Sequence, residues 1–312
     1  METTEKLKLL DSFLGDHSKA GNEYLFFCPF CSHHKKKLSI NLNKGKFKCW
    51  ICDISGNLRK LVRKKANYNI FQQWKTLDGE VDLSTNLDEL FATTSEQHES
   101  ILELPEKFVT LTGKKHPITH TKPLNYLRDR GITEEDLLFW KVGFCFDGEY
   151  KNRIIFPSFN NNGELNYYVG RICTGEKFGK YKAPSVGKDI IFNELYLDFD
   201  KDIVIVEGVF DAIKSGQNSI PLLGSTLRED SKLFQKIVKF DTPVYLALDP
   251  DASKKENEIA RELINYGVEV YKVDISQFGD VGEMSKKEFQ ERKKNSKLVT
   301  QDTILQQELG VR

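Results

Sequence analysis

No stretch of this 312-residue chain is apolar for long enough to cross a bilayer. Its start, M-E-T-T-E-K-L-K-L-L, places acids where a secretory signal needs a basic lead and a long apolar run. A role in a membrane is therefore not expected, and the cytoplasm is the expected compartment. Net charge is lacking too: 46 Lys and Arg balance 46 Asp and Glu, so any affinity for a polyanion must come from local patches. The G-x-x-x-x-G-K-[ST] phosphate loop is missing, because Gly175–Lys182 and Gly187-Lys188 both lack its Lys-Ser/Thr ending. That excludes a P-loop motor within these residues. Cysteine is scarce, six in all, and four of the six fall in two C-x-x-C pairs. In a chain without export features that usage points to metal rather than disulfides.

The pairs are Cys28-Pro-Phe-Cys31 and Cys49-Trp-Ile-Cys52, spaced C-x₂-C-x₁₇-C-x₂-C. Each pair forms a tight knuckle presenting two thiolates, and the span between them suits a hairpin that closes a tetrahedral Zn²⁺ site. Tyr24, Phe26, Phe27, Leu38, Ile40, Phe47 and Trp50 flank the knuckles, the pattern of a small zinc ribbon that depends on its metal to fold. A redox dithiol is the competing reading, and two spaced pairs argue against it. His33 and His34 are alternative ligands, but four cysteines already complete the shell. From Cys28 to Lys65 there are eleven Lys or Arg and a single acid, Asp53. One charge run is ordinarily a solvated face. Here Lys35, Lys36, Lys37, Lys44, Lys46 and Lys48 surround Phe47 and Trp50, which suits a single-stranded nucleic acid, whose phosphates and bases such a surface can grip.

A second organised stretch is I-V-I-V-E-G-V-F-D, Ile203 to Asp211. The β-branched run reads as a strand buried on both faces, and Gly208 turns the chain into a helix. Glu207 then stands at the carboxyl end of a parallel strand, where open α/β sheets place ligands. Val244–Leu248 repeats the layout, with Asp249 and Asp251 at its tip, then a helix over Ser253–Tyr266 and a third strand over Val268–Val273. Asp-Pro-Asp alone is an ordinary turn. With Glu207 also at a strand end, three carboxylates would repel unless a cation sits among them, and oxygen-only ligands suit Mg²⁺ or Mn²⁺.

These residues carry a resemblance. E-G-V-F-D-A, then L-L-G-S, then D-P-D-A is similar to the TOPRIM domain of bacterial-type primases, topoisomerases and some nucleases. The resemblance implies that Glu207 is a general acid/base or metal ligand, that Asp249 and Asp251 are metal ligands, and that Asp280 is a further acidic position. C-P-F-C…K-L-S-I-N…F-K-C-W-I-C-D-I-S-G-N-L resembles the zinc-binding domain of bacterial and phage primases. Cys31 stands where many cellular primases have histidine; all-cysteine versions are familiar in the phage branch. R-I-I-F-P-S-F-N-N-N-G-E-L-N-Y-Y-V-G-R…K-Y-K-A-P-S, read from the residues as a hairpin with scattered basic side chains, is similar to the basic subdomain that precedes TOPRIM in primases. By that resemblance Arg153, Arg171, Lys180 and Lys182 line the groove for template and incoming nucleotide.

The expected architecture is α/β, α+β overall. It comprises a zinc ribbon (1–66), an acidic linker (67–120), a basic subdomain of a polymerase core (121–198), TOPRIM (199–285) and a charged helical tail (286–312). Thr76–Glu106 supports the linker with nine acids and no Lys or Arg, although L-D-E-L-F allows a short helix there. Leu124–Arg130 reads as a helix stopped by Gly131, and Thr133–Asp136 as a capping box. Cys145 and Cys173 read as buried small side chains. The expected function is a short DNA primase, synthesising RNA primers on single-stranded DNA from ribonucleoside triphosphates with structural Zn²⁺ and catalytic Mg²⁺ or Mn²⁺. Its expected partner is a separate hexameric helicase, and the compartment is the host cytoplasm if the chain is phage-encoded. The alternatives are a TOPRIM nuclease and a non-catalytic zinc/TOPRIM single-strand binder. A type IA topoisomerase would need a further catalytic domain.

Overall fold

The computed structural model describes residues 2–78, 102–113, 117–174 and 179–308, which form two compact units. The L-D-E-L-F stretch and most of the acidic segment lie outside the described residues.

In the N-terminal unit, helix α1 (Glu2–Leu14) precedes strands β1 (Ser18–Ala20), β2 (Glu23–Phe26), β3 (Leu38–Asn41), β4 (Lys46–Cys49) and β5 (Ser55–Asn57). They form one antiparallel meander in chain order, with Phe26 opposite Leu38 and Leu38 opposite Cys49. Helices α2 (Leu58–Lys65) and α3 (Tyr68–Asp78) close the unit. Asn57 caps α2 by accepting the Arg59 amide at 2.8 Å. The spacing of Leu58, Leu61 and Val62 puts all three on one buried face and leaves Arg59, Lys60, Arg63, Lys64 and Lys65 off it. Trp74 of α3, 1% exposed, belongs to the same core as Leu10, Phe26, Leu38 and Ile40. The expected linker from 67 therefore starts with a packed helix. The acid-rich composition begins only at Asp78, and Ile70, Phe71 and Trp74 before it supply an apolar face.

The larger unit holds two sheets. The first has the order β10-β9-β8-β7-β6, all antiparallel: β6 (Phe108–Thr110), β7 (Gly143–Cys145), β8 (Arg153–Phe159), β9 (Leu165–Ile172) and β10 (Tyr181–Lys182). Strand β6, in the expected linker's other end, pairs with β7 through Phe108 and Cys145. Pro157 is tolerated in β8 because β7 reaches only Arg153–Ile155, so no ladder bond is missing there. Asn160 closes the hairpin as expected, its Oδ1 accepting the amides of Asn162 and Glu164 at 3.0 and 2.9 Å. Between β6 and β7 lie α4 (Thr121–Asp129), followed by Gly131 at φ +65°, and α5 (Glu134–Phe139). The capping box of α5 is formed: Asp136 Oδ2 accepts the Thr133 amide, and Thr133 Oγ1 accepts the Asp136 amide.

The second sheet has the order β12-β11-β13-β14-β15. Strand β11 (Ile203–Val206) leads through α6 (Val209–Ser215) to β12 (Ser219–Pro221); α7 (Lys232–Phe240) then leads to β13 (Val244–Ala247) on the opposite side of β11. Helix α8 (Ser253–Asn265) connects β13 to β14 (Val270–Lys272). The reversal of direction at β11 and β13 is a topological switch point, the place where such sheets open a crevice at their carboxyl ends. The segment expected as a charged tail is built into this unit. Helix α9 (Lys286–Lys294) buries Phe289 completely, and β15 (Lys297–Leu298) adds an antiparallel edge to β14 before α10 (Gln301–Glu308). One apolar core, including Phe156 and Val169 of the first sheet and Val206 and Phe210 beside the second, joins the two.

Candidate active site

The four cysteines come together. Cys28 Sγ lies 3.9 Å from Cys52 Sγ, Cys31 Sγ 3.9 Å from Cys49 Sγ, and all four sulfurs lie within 4.8 Å of one another. A tetrahedron with Zn–S bonds of about 2.3 Å has edges of about 3.8 Å, so the set fits zinc. The geometry follows from the β2–β3–β4 register, which brings the two knuckles to the same end of the sheet. Each knuckle ends in a left-handed residue directly after its second cysteine, Ser32 at φ +50° and Asp53 at φ +55°. Cys28 and Cys49 are buried, and burial pushes both thiols up, so deprotonation there belongs with metal binding. His33 and His34 pack against each other at 4.3 Å and are not part of the cluster. Around it, Lys65 lies 4.4 Å from the Phe30 ring, Lys48 4.7 Å from Trp50 and Lys36 5.5 Å from the exposed Phe27.

In the larger unit the acids gather at the switch point. Val206 pairs with Ala247, so Glu207 and Asp249 leave neighbouring strands at the same level. Asp280 arrives on the loop after β14, where its Oδ1 accepts the Glu283 amide at 3.0 Å. Asp211, one turn into α6, is almost fully buried and ties two of these loops together. Its oxygens accept the amides of Gly208 and Gly282, each at 2.8 Å. Gly208 sits close enough that a Cβ there would be 3.0 Å from the Asp211 carboxylate. Burial first, then the Asp280 and Asp249 charges, push Asp211 up to about 7. Burial, then Glu207, Asp280 and Asp251, push Asp249 up to about 6, and its buried Oδ1 has no hydrogen-bond partner. Lys255, on the first turn of α8, meets both Glu207 oxygens at 3.0 and 3.2 Å. Asp211 and Asp249, raised first by burial and then by neighbouring carboxylates, sit where added positive charge would favour their ionised forms.

These acids form one side of a groove of about 710 Å³ whose other side is basic. Arg130, Arg171, Lys180, Lys182 and Lys188 line it together with Glu207, Asp211, Asp249 and Asp280. Arg171 is held by the Tyr126 hydroxyl at 3.2 Å and lies 4.7 Å from the Tyr181 ring; Arg130 lies 4.7 Å from the Phe210 ring. Lys182 is shared with Glu149 at 2.8 Å. Two of the expected residues stand off the walls. Arg153 reaches back to the Lys180 carbonyl at 3.3 Å, and Asp251 is exposed on the turn beyond Asp249. Among the described residues, the four sulfurs are the only set of three or more candidate ligand atoms drawn to single-ion dimensions. The carboxylates are more widely spread.

Residues 9–92 match the family model of the CHC2 zinc finger. Across the chain, a DNA primase of Clostridium acetobutylicum is 23% identical over 298 residues, covering 80% of this chain and 48% of that protein. A DNA primase of Legionella pneumophila is 25% identical over 312 residues, covering 82% and 51%. Over about four fifths of its length the chain is similar to DNA primases. It spans about half the length of the primases it matches. Among solved structures, the zinc-binding and RNA polymerase domains of the Aquifex aeolicus primase align with TM-score 0.42 and 18% identity over 96% of this chain and 86% of that one. The Escherichia coli primase catalytic core aligns with TM-score 0.48 and 14% identity over 62% and 78%.

Along this chain the order is cysteine cluster, basic hairpin and acid-tipped sheet. Sequence reasoning did not single out Asp211, Lys255, Arg130 or Lys188. Asp211 was within reach, since it lies four residues after Glu207 in the E-G-V-F-D stretch and shares its helix end. Nothing local marks the other three.

Proposed function

We propose that the chain is a DNA primase whose chemistry is nucleotidyl transfer in the groove between the acidic and basic walls. The observation that carries this reading is that carboxylates at two adjacent strand ends share one cavity with Arg130, Arg171 and Lys180. Triphosphates and template are polyanions, which the basic wall attracts and orients. Donor type, the orphaned Asp249 Oδ1 and the elevated Asp249 and Asp211 fit Mg²⁺ or Mn²⁺. Glu207, Asp249 and Asp280 would hold it, with Asp251 at the rim. The ion, when bound, supplies charge neutralisation at the transferring phosphate. In the reaction the 3′-hydroxyl of one ribonucleotide attacks the α-phosphate of the next and pyrophosphate leaves. Glu207, where it does not hold the ion, takes the hydroxyl proton. Arg171, fixed by Tyr126 and Tyr181, holds phosphate oxygens in place, and Lys180 and Lys182 extend that surface, with Arg153 bracing the Lys180 backbone. The zinc ribbon, with lysines set over aromatic rings, contacts the single-stranded template. A separate hexameric helicase in the same cytoplasm is the partner proposed to open the duplex.

The test is template-dependent incorporation of labelled ribonucleotides on single-stranded DNA, wild type against Asp249→Ala. Short RNA from wild type that falls by about a hundredfold or more in the variant is expected. Cut DNA would indicate a nuclease, and binding without products, even with a helicase added, a binding module.

A further inference from the structure

The acidic wall contains one built-in cation. Among the described residues, Lys255 is the only ammonium or guanidinium group hydrogen-bonded to any of the carboxylates lining the groove, and it takes both oxygens of Glu207. It does so from the first turn of α8, where the helix dipole disfavours a positive side chain. Both partners are partly desolvated, 25% and 20% exposed, so the pair is less screened than one on an open surface. One ammonium leaves the rest uncompensated: Asp249 Oδ1 is still orphaned, and Asp211 and Asp280 have only amide donors.

We propose that Lys255 is a positioning residue that holds Glu207 in the metal-free protein and competes with the divalent cation for it, so that this lysine sets the metal affinity of the site. The proposal rests on the metal reading given above. A cation arriving at Glu207 meets a positive charge a few ångströms away, and the two repel. The four-carbon stem of a lysine lets the ammonium swing aside without moving the helix. The side chain thus steadies Glu207 without the ion and weakens binding of the ion.

The experiment is Mn²⁺ binding to the zinc-loaded protein without nucleotide, followed by the paramagnetic resonance of the free aqua ion. Lys255→Met is expected to bind Mn²⁺ about fivefold or more tightly than wild type, because a repelling charge beside the ion is gone. Lys255→Arg, which keeps the charge, is expected to stay near wild type. Asp249→Ala, expected to lose the binding, locates the ion. If Asp249→Ala leaves binding untouched, the metal reading itself fails. If it abolishes binding while Lys255→Met binds equally or more weakly than wild type, the lysine proposal alone is overturned. Should Lys255→Met not fold, Lys255→Gln carries the same comparison.

Discussion

An aspartate whose two oxygens both accept backbone amides is ordinarily a strong acid, yet Asp211 is pushed up to about 7. Burial among other carboxylates outweighs its hydrogen bonds. The consequence is a pH dependence with a definite sign. Between the unfolded value near 3.8 and the folded values of about 7 for Asp211 and about 6 for Asp249, the native state holds more protons than the unfolded chain. Stability of the metal-free site therefore falls as pH rises through that window, for Asp211 by an amount on the order of 2–4 kcal/mol. A divalent cation among the acids removes the penalty. Urea unfolding with and without MgCl₂ is expected to show a larger Mg²⁺ stabilisation at about pH 8 than at about pH 5. Equal shifts at the two pH values would contradict the argument.

At the scale of elements, the clearest departure from expectation is α3. Its first turns carry Tyr68, Ile70, Phe71 and Trp74 before the acids begin, and the buried indole completes a core shared with α1 and the ribbon. A small sheet buries too little surface alone, so an added helix contributes disproportionately. Trp74→Ala is expected to destabilise the N-terminal unit by about 3–5 kcal/mol, seen as a lowered midpoint for that unit. A loss under about 1 kcal/mol would return the segment to the status of a tether. The same scale explains β15: two residues, Lys297 and Leu298, suffice to pair with β14 because Phe289 has already anchored the preceding helix.

For the whole molecule, the two units depend on different things. The ribbon closes around four thiolates, whereas the larger unit rests on a core of side chains shared between two sheets. Removing zinc with a chelator under reducing conditions is therefore expected to release amide-exchange protection in β2, β3 and β4 while β11 and β13 keep theirs. Simultaneous loss in both sheets would show that the larger unit also depends on the metal. The groove is likewise a property of the whole larger unit. Its acidic side comes from one sheet and most of its basic side from the other, and the common core fixes the gap between them.

Sequence alone determined what acts over short separations. The cysteine spacing, the buried strand with Glu207 at its tip, the Asn160 hairpin and the Thr133 capping box are each written within a few residues, because knuckles, strand ends and caps are set by local backbone geometry. Tertiary structure decided everything that joins distant segments. Parallel pairing of β11 with β13 brings Glu207 beside Asp249, and the Asp211 bond to Gly282 draws in Asp280. The seat of Lys255 on Glu207, and of Arg130 over Phe210, depends on how helices settle on the sheet. Those contacts span tens of residues, and it is burial of the shared core, with no local pattern to announce it, that selects them.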